Sequence, residues 1–261
     1  MSDDPVDVDL ARRWVALEAG FNFRDLGGYP ALDGREVRWG TLFRSDTLHR
    51  LTPADLEVFR ALRLRTVVDL RAETEIADHG RLTPDACDEL DWHHVPMLDV
   101  VLLRPDDDPP APPPEPAEPL PPGQSYVQLL GSGQPIARVL SLVTGERSLP
   151  VVFHCTAGRD RTGMVAAMVL DLLGVPDDVI AEDYALTNAA RERSDPWIQQ
   201  HEPTFAAYLA QFPPEQRVTR PEVILGFLAA VRAGHGSVEG FLRDRGVDGA
   251  SIDRFRDATL V

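Results

Sequence analysis

The stretch VVFHCTAGRDRTGMVAAMVLDLLG, Val151 to Gly174, constrains the fold more than any other part of the chain. Three apolar residues run without alternation into His154 and Cys155. A strand that is apolar on both sides has to be covered on both faces, so Val151–His154 belongs in the interior of a sheet. After a short loop, Asp160 opens a helical period that sets Val165, Met168, Val169 and Leu172 on one stripe and leaves little polar surface elsewhere. Gly174 and Pro176 end it. A buried strand, a tight loop and a centrally buried helix form the unit of an α/β fold, here predicted as a small, mainly parallel central sheet flanked by helices.

The rest of the chain fits that frame. Residues 53–63 have helical apolar spacing behind Thr52, an N-cap residue, with Pro53 in the first turn. Thr66 to Leu70 reads as a short buried strand and Trp92 to Val95 as another; residues 125–144 read as a helix weakened by Gly131 and Gly133. From Asp177 to Leu260 the pattern is helical throughout, which gives a helical C-terminal half. Residues 105–122 are more than half proline with acidic residues between them, and are expected to be an extended, flexible insert. The strand–helix alternation resumes after it, so residues 1–261 are expected to form one domain.

The formal net charge of −16 argues against binding nucleic acid as a bulk polyanion or docking on an anionic membrane through general charge. No apolar run reaches the ~20 residues needed to span a bilayer. Two cysteines, Cys87 and Cys155, are no disulfide framework, and the N-terminus MSDDPVDVDL lacks a basic region followed by an apolar one. A reducing, cytoplasmic setting is the expectation, with export by another route left open.

The loop after the strand carries the chemistry. Ligands of open α/β sheets bind at the carboxyl ends of strands, where Cys155 falls. A sharp turn through Thr156, Ala157, Gly158 and Arg159 into a helix N-terminus sets consecutive N–H groups around an anion-sized concavity. Ala157 and Gly158 permit close backbone approach. Arg161 can hold two phosphate oxygens at once. The same positive groups stabilise a thiolate, the nucleophilic form of cysteine.

His-Cys-(five residues)-Arg-Thr, His154 to Thr162, resembles the signature of cysteine-dependent protein tyrosine phosphatases. HCTAGRDRTG is similar to the bacterial tyrosine/serine phosphatase branch that includes the mycobacterial phosphopeptide and phosphoinositide phosphatases. NFRDLGGY from Asn22, LFRSDTLHRL from Leu42, VVDLRAETE from Val67 and EDYALTN from Glu182 resemble the same branch. The resemblance implies a phosphomonoester hydrolase that needs no metal or cofactor and acts on a phosphorylated protein or phosphoinositide. It implies that Cys155 attacks phosphorus, that Arg161 and the amides of residues 156–162 hold the phosphate, that Thr162 bonds the sulfur and that His154 orients the cysteine. The distant Trp-Pro-Asp acid of other relatives is absent, and Asp160 matches the branch's loop aspartate. Arg159 stands where the branch commonly has lysine.

Other readings remain open at this stage. Asp160 can serve as a first-turn acid complementing the helix dipole. Asp69 and Arg71 either line the pocket mouth or pair on the surface. Asn22 to Asp25, Arg44 to Asp46, Asp183 and Asn188 can be scaffold. Cys87 is inert or a disulfide partner of Cys155. A phosphate- or phosphoinositide-binding module, or a sulfur-transfer or arsenate-reducing enzyme, would use a similar loop. Residues 195–214, with Trp197, Phe205, Tyr208 and Phe212, form either a helical lid or a core helix.

Overall fold

The computed structural model describes residues 10–82, 90–97, 120–145 and 147–261. Cys87, most of the proline-rich insert and the acidic patches at 3–9 and 106–108 lie outside them. Five strands form one sheet in the order β1-β2-β5-β3-β4: β1 Arg24–Asp25, β2 Leu42–Ser45, β3 Thr66–Asp69, β4 Asp91–His94 and β5 Val151–His154. Only β1 runs antiparallel to its neighbour. The helices are α1 Leu10–Arg13, α2 Pro53–Ala61, α3 Glu73–His79, α4 Gln124–Leu130, α5 Gln134–Val143, α6 Asp160–Leu172 and α7 Asp177–Ala185. They continue as α8 Thr187–His201, α9 Pro203–Leu209, α10 Pro214–Arg217, α11 Pro221–His235, α12 Val238–Arg243 and α13 Gly249–Thr259.

β5 is central because its side chains have apolar cover on both faces. Val151 and Phe153 enter a core built on α5, α6, α7 and α11, while Val152 points into a second core with Phe23, Phe43, Phe59 and Val67. Helix α6 lies over β2 and β5 and is itself covered by α5, α7, α11 and α12, which accounts for its nearly continuous apolar surface. Register aligns Ser45, His154 and Asp69 at the carboxyl ends of three adjacent strands, so the segments that leave those ends converge.

Local capping sets the expected helix at residue 53. Thr52 accepts from the Asp55 amide, and the Asp55 carboxylate takes the Thr52 amide together with those of Glu18 and Ala19. Two expectations change. The helix predicted over 125–144 is two, α4 and α5, because Gly131 and Gly133 take positive φ of 52° and 69°. Strands β1 and β2 did not stand out, because Arg24, Asp25, Arg44 and Ser45 interrupt their apolar pattern, yet all are buried. No helix among the described residues is long and apolar enough to cross a membrane.

Candidate active site

Cys155 follows β5 directly and is 2% exposed. The chain between it and α6 is held from outside by its carbonyls. The Thr47 amide donates to the Thr156 carbonyl (3.0 Å), Asn22 Nδ2 to those of Ala157 and Gly158 (3.0 Å each), and Arg44 Nη2 to that of Gly158 (2.8 Å). In a trans peptide the N–H points opposite to its C=O. Drawing these three carbonyls outward therefore turns the amides of Ala157, Gly158 and Arg159 to the concave side. The open amides of the first turn of α6 follow them in sequence. Gly158 is required twice over: its φ is +66°, and a Cβ there would lie 2.7 Å from both Asn22 Nδ2 and the Ser45 carbonyl.

Asn22 and Arg44 are themselves fixed. Asp46 accepts from the amides of Phe21 and Asn22 and from Arg50, and Arg24 donates to Asn22 Oδ1. Arg44 and Arg24 share the fully buried Asp183, which also accepts from Tyr29. Burial opposes the Asp183 charge, but Arg24 and Arg44 outweigh it and hold the carboxyl well below its usual range.

On the concave side, Thr162 Oγ1 donates to Cys155 Sγ at 3.1 Å. Arg161 is held in a two-pronged pair by Glu75, Nη1 to Oε2 at 2.5 Å and Nη2 to Oε1 at 3.0 Å. Glu75 is buried and also accepts from the Ala72 amide and from Thr156 Oγ1. Burial works against the Arg161 charge, yet the neighbouring Cys155 and Glu75 keep its pKa above the ordinary value. Burial likewise opposes the Glu75 charge, and Arg161 outweighs it, so that carboxyl sits below its usual pKa.

Asp160, at the start of α6, pairs with Arg159 Nε (3.1 and 3.2 Å) and accepts from the Tyr126 hydroxyl. Burial raises its pKa, but Arg159 and Tyr126 bring it below the ordinary value, so the unliganded site holds a carboxylate. His154 is buried behind the cysteine with Nδ1 3.2 Å from the Cys155 carbonyl; burial pushes its pKa down against the pull of Asp69. An anion-binding loop, a thiol with a hydroxyl donor on it, a braced arginine and a carboxyl at the rim thus meet at one strand end.

A model of the tyrosine phosphatase family matches residues 15–261. The chain is 33% identical to the triple specificity protein phosphatase PtpB of Mycobacterium tuberculosis, with 94% of this chain and 98% of that protein covered. It is 28% identical to a tyrosine-protein phosphatase of Nostoc commune, over 87% of this chain and 76% of that one. The chain belongs to the tyrosine phosphatase family. It is a cysteine-dependent phosphatase of phosphorylated substrates.

Of the residues singled out in the sequence of this phosphatase, Cys155, Thr156, Ala157, Gly158, Arg159, Asp160, Arg161, Thr162, His154, Asn22 and Arg44 fall at one site. Asp69 does not line its mouth. It pairs with Arg71 through both oxygens, as one expectation had it, but both are fully buried rather than on the surface, with Arg71 also reaching the Gly80 carbonyl. Asn188 is scaffold, exchanging two hydrogen bonds with the Thr219 backbone. Glu75, Tyr126 and Tyr184 were missed as site residues. Glu75 lies inside the VVDLRAETE segment, but a carboxylate in a helix of mixed polarity carries no sign of its partner. The 195–214 segment is not core: no residue of α9 is buried, and Trp197 packs at 6.0 Å on Phe21 under the Arg50 guanidinium.

Proposed function

We propose that this enzyme hydrolyses phosphotyrosine through a phosphocysteine, with phosphoserine/threonine and phosphoinositides as the further substrates that the resemblance of the HCTAGRDRTG loop implies. The observation that carries the reading is the pairing of Thr162 Oγ1 on Cys155 Sγ with Arg161 braced by Glu75 across the same loop. The Cys155 thiolate attacks phosphorus; an S–P bond forms as the ester P–O bond breaks, and Asp160 gives its proton to the leaving oxygen. Arg161 and the inward amides hold the equatorial oxygens. Water then attacks the phosphocysteine, Asp160 takes its proton, and the S–P bond breaks to return a thiolate stabilised by Thr162. His154 and Arg44 hold the loop from behind, and Asp69 stands 3.5 Å from His154 Nε2 on the side away from the cysteine. A phosphate dianion beside Asp160 disfavours a second negative charge there and raises the carboxyl's pKa above that of the free enzyme.

The test compares kcat/KM on phosphotyrosine peptides, phosphoserine peptides and phosphoinositide vesicles, with Cys155→Ser as reference. Phosphotyrosine turnover with an acid-trapped phosphocysteine is expected, and both vanish in the serine variant, whose hydroxyl is not ionised at neutral pH. Turnover that survives in Cys155→Ser overturns the mechanism. Binding of phosphate without turnover on any of the three substrates would favour a binding module.

A further inference from the structure

We propose that Tyr126 is a positioning residue for Asp160, fixing which carboxyl oxygen exchanges the catalytic proton. The proposal rests on the reading of Asp160 as the acid and base. Tyr126 and Arg159 both donate to Asp160 Oδ1, whereas Oδ2 meets Arg159 alone among the described residues. Oδ1 is thereby occupied and Oδ2 is the oxygen left to carry the transferable proton. A tyrosine has one proton to give. Since Tyr126 spends it on the carboxylate, Tyr184, whose hydroxyl lies 2.5 Å from that of Tyr126, is the donor in the second bond, and a chain of donors runs Tyr184 to Tyr126 to Asp160.

The chain is anchored. Tyr126 is 5% exposed, with its ring edge-on to Tyr184 and Phe227. It stands three residues beyond Gly123, where the backbone presses on α11 so closely that a Cβ would lie 2.2 Å from the Phe227 amide. Across the same contact a Cβ on Gly226 would lie 2.0 Å from the Pro122 carbonyl. Tyr184 packs against Gly163 of α6, where a Cβ would sit 2.7 Å from its ring. Asp160 is thus referenced through α4 and α7 to the core, whereas its other partner, Arg159, is its own neighbour in the loop, with a side chain 36% exposed. The charged and titratable groups that bear on Asp160 are Arg159 and Arg161 from its own segment, Tyr126 from α4, and Tyr184 from α7 with Arg44 behind it.

Tyr126→Phe removes one oxygen and keeps the ring. In single-turnover phosphorylation of Cys155, the rate on an alkyl phosphate should fall about tenfold, part of the roughly 10²–10⁴ that proton transfer supplies, while an activated aryl phosphate changes less than about twofold. Loss of a donor to the carboxylate raises its pKa, so the basic limb of the alkyl-phosphate pH profile should move up by about one unit. In an Asp160→Asn background, Tyr126→Phe should cost nothing more. Equal slowing of both esters, or an unmoved limb, overturns the proposal and makes Tyr126 a packing residue. Asp160→Asn alone distinguishes the underlying reading: if it too spares the dependence on leaving group, the acid lies elsewhere and the inference falls with it. Tyr184→Phe, which leaves the Tyr126–Asp160 bond in place, should shift the limb in the same direction by less; if Tyr126→Phe does not fold, an unmoved limb in Tyr184→Phe refutes the donor chain.

Discussion

Glu75→Gln separates what holds the site from what merely surrounds it. The carboxylate is buried and takes four donors: both terminal nitrogens of Arg161, the Ala72 amide and the Thr156 hydroxyl. Glutamine keeps one acceptor oxygen and turns the other into an NH2 that faces donors. It also leaves the Arg161 charge, in a side chain only 8% exposed, without its counterion. Breaking one side of a buried pair costs about 3–5 kcal/mol. At about 2–4 °C per kcal/mol for a domain of this size, Tm should fall by roughly 6–20 °C. Loss of one preorganised donor to the transition state should lower kcat/KM on an aryl phosphate by about 10²–10³. The pH dependence has a definite sign. The folded Glu75 pKa lies below the unfolded value near ~4.3, so its contribution is complete above that value and is lost as pH falls through the folded pKa. The Tm gap between wild type and variant should therefore narrow in acid. Differential scanning calorimetry from pH 7 to 3, with kinetics on the same preparations, reads all three. A variant with lowered Tm but kcat/KM within about threefold of wild type would show that Arg161 keeps its aim without Glu75.

Two more variants probe the frame. Asp183→Asn leaves Arg24 and Arg44 buried without their shared carboxylate, so Tm should drop by roughly 10 °C at pH 7. Because the Asp183 carboxyl is held well below its usual pKa, the loss should shrink below about pH 4; an undiminished gap there would mean that the carboxylate contributes little. If the α8–α9 segment covers the loop, replacing Phe205 and Phe212 with serine should speed peroxide inactivation of Cys155 and leave Tm within about 2 °C. Inactivation at the wild-type rate would show that the segment does not shield Cys155.

What was legible in the sequence was whatever is periodic or local. Val151 to Leu172 announces itself because Val151–Phe153 and Met164–Leu170, buried on all sides, are unbroken apolar runs, and the cap at Thr52 lies within three residues of its partner. The signature loop was legible as well, since its anion-binding amides come from consecutive residues. What was hidden depends on long-range pairing. β1 and β2 are strands whose polar side chains are satisfied by residues far along the chain: Arg24 and Arg44 meet Asp183 across 159 and 139 positions. Nothing in Arg-Asp or Phe-Arg-Ser states that such a partner exists. Glu75 and Tyr126 escaped for the same reason, being ordinary residues in ordinary helices until folding brings them to Arg161 and Asp160.

The hidden residues bear most directly on catalysis. The loop sequence supplies amides, a thiol and an arginine, but a short glycine-containing loop alone has many conformations, most of which scatter those amides. Selecting one requires that each outward carbonyl have a donor waiting. Thr47, Asn22 and Arg44 provide them, and none belongs to the loop. Arg44 can be buried at 0% exposure because Asp183 neutralises it, and Arg24, on the same carboxylate, also braces Asn22. The buried charges are therefore one unit with the phosphate loop. Their ionic pairing contributes little net stability over a well-packed apolar cluster. What they supply instead is direction, two hydrogen-bond donors pulling on the back of the loop so that its amides face the substrate before it arrives.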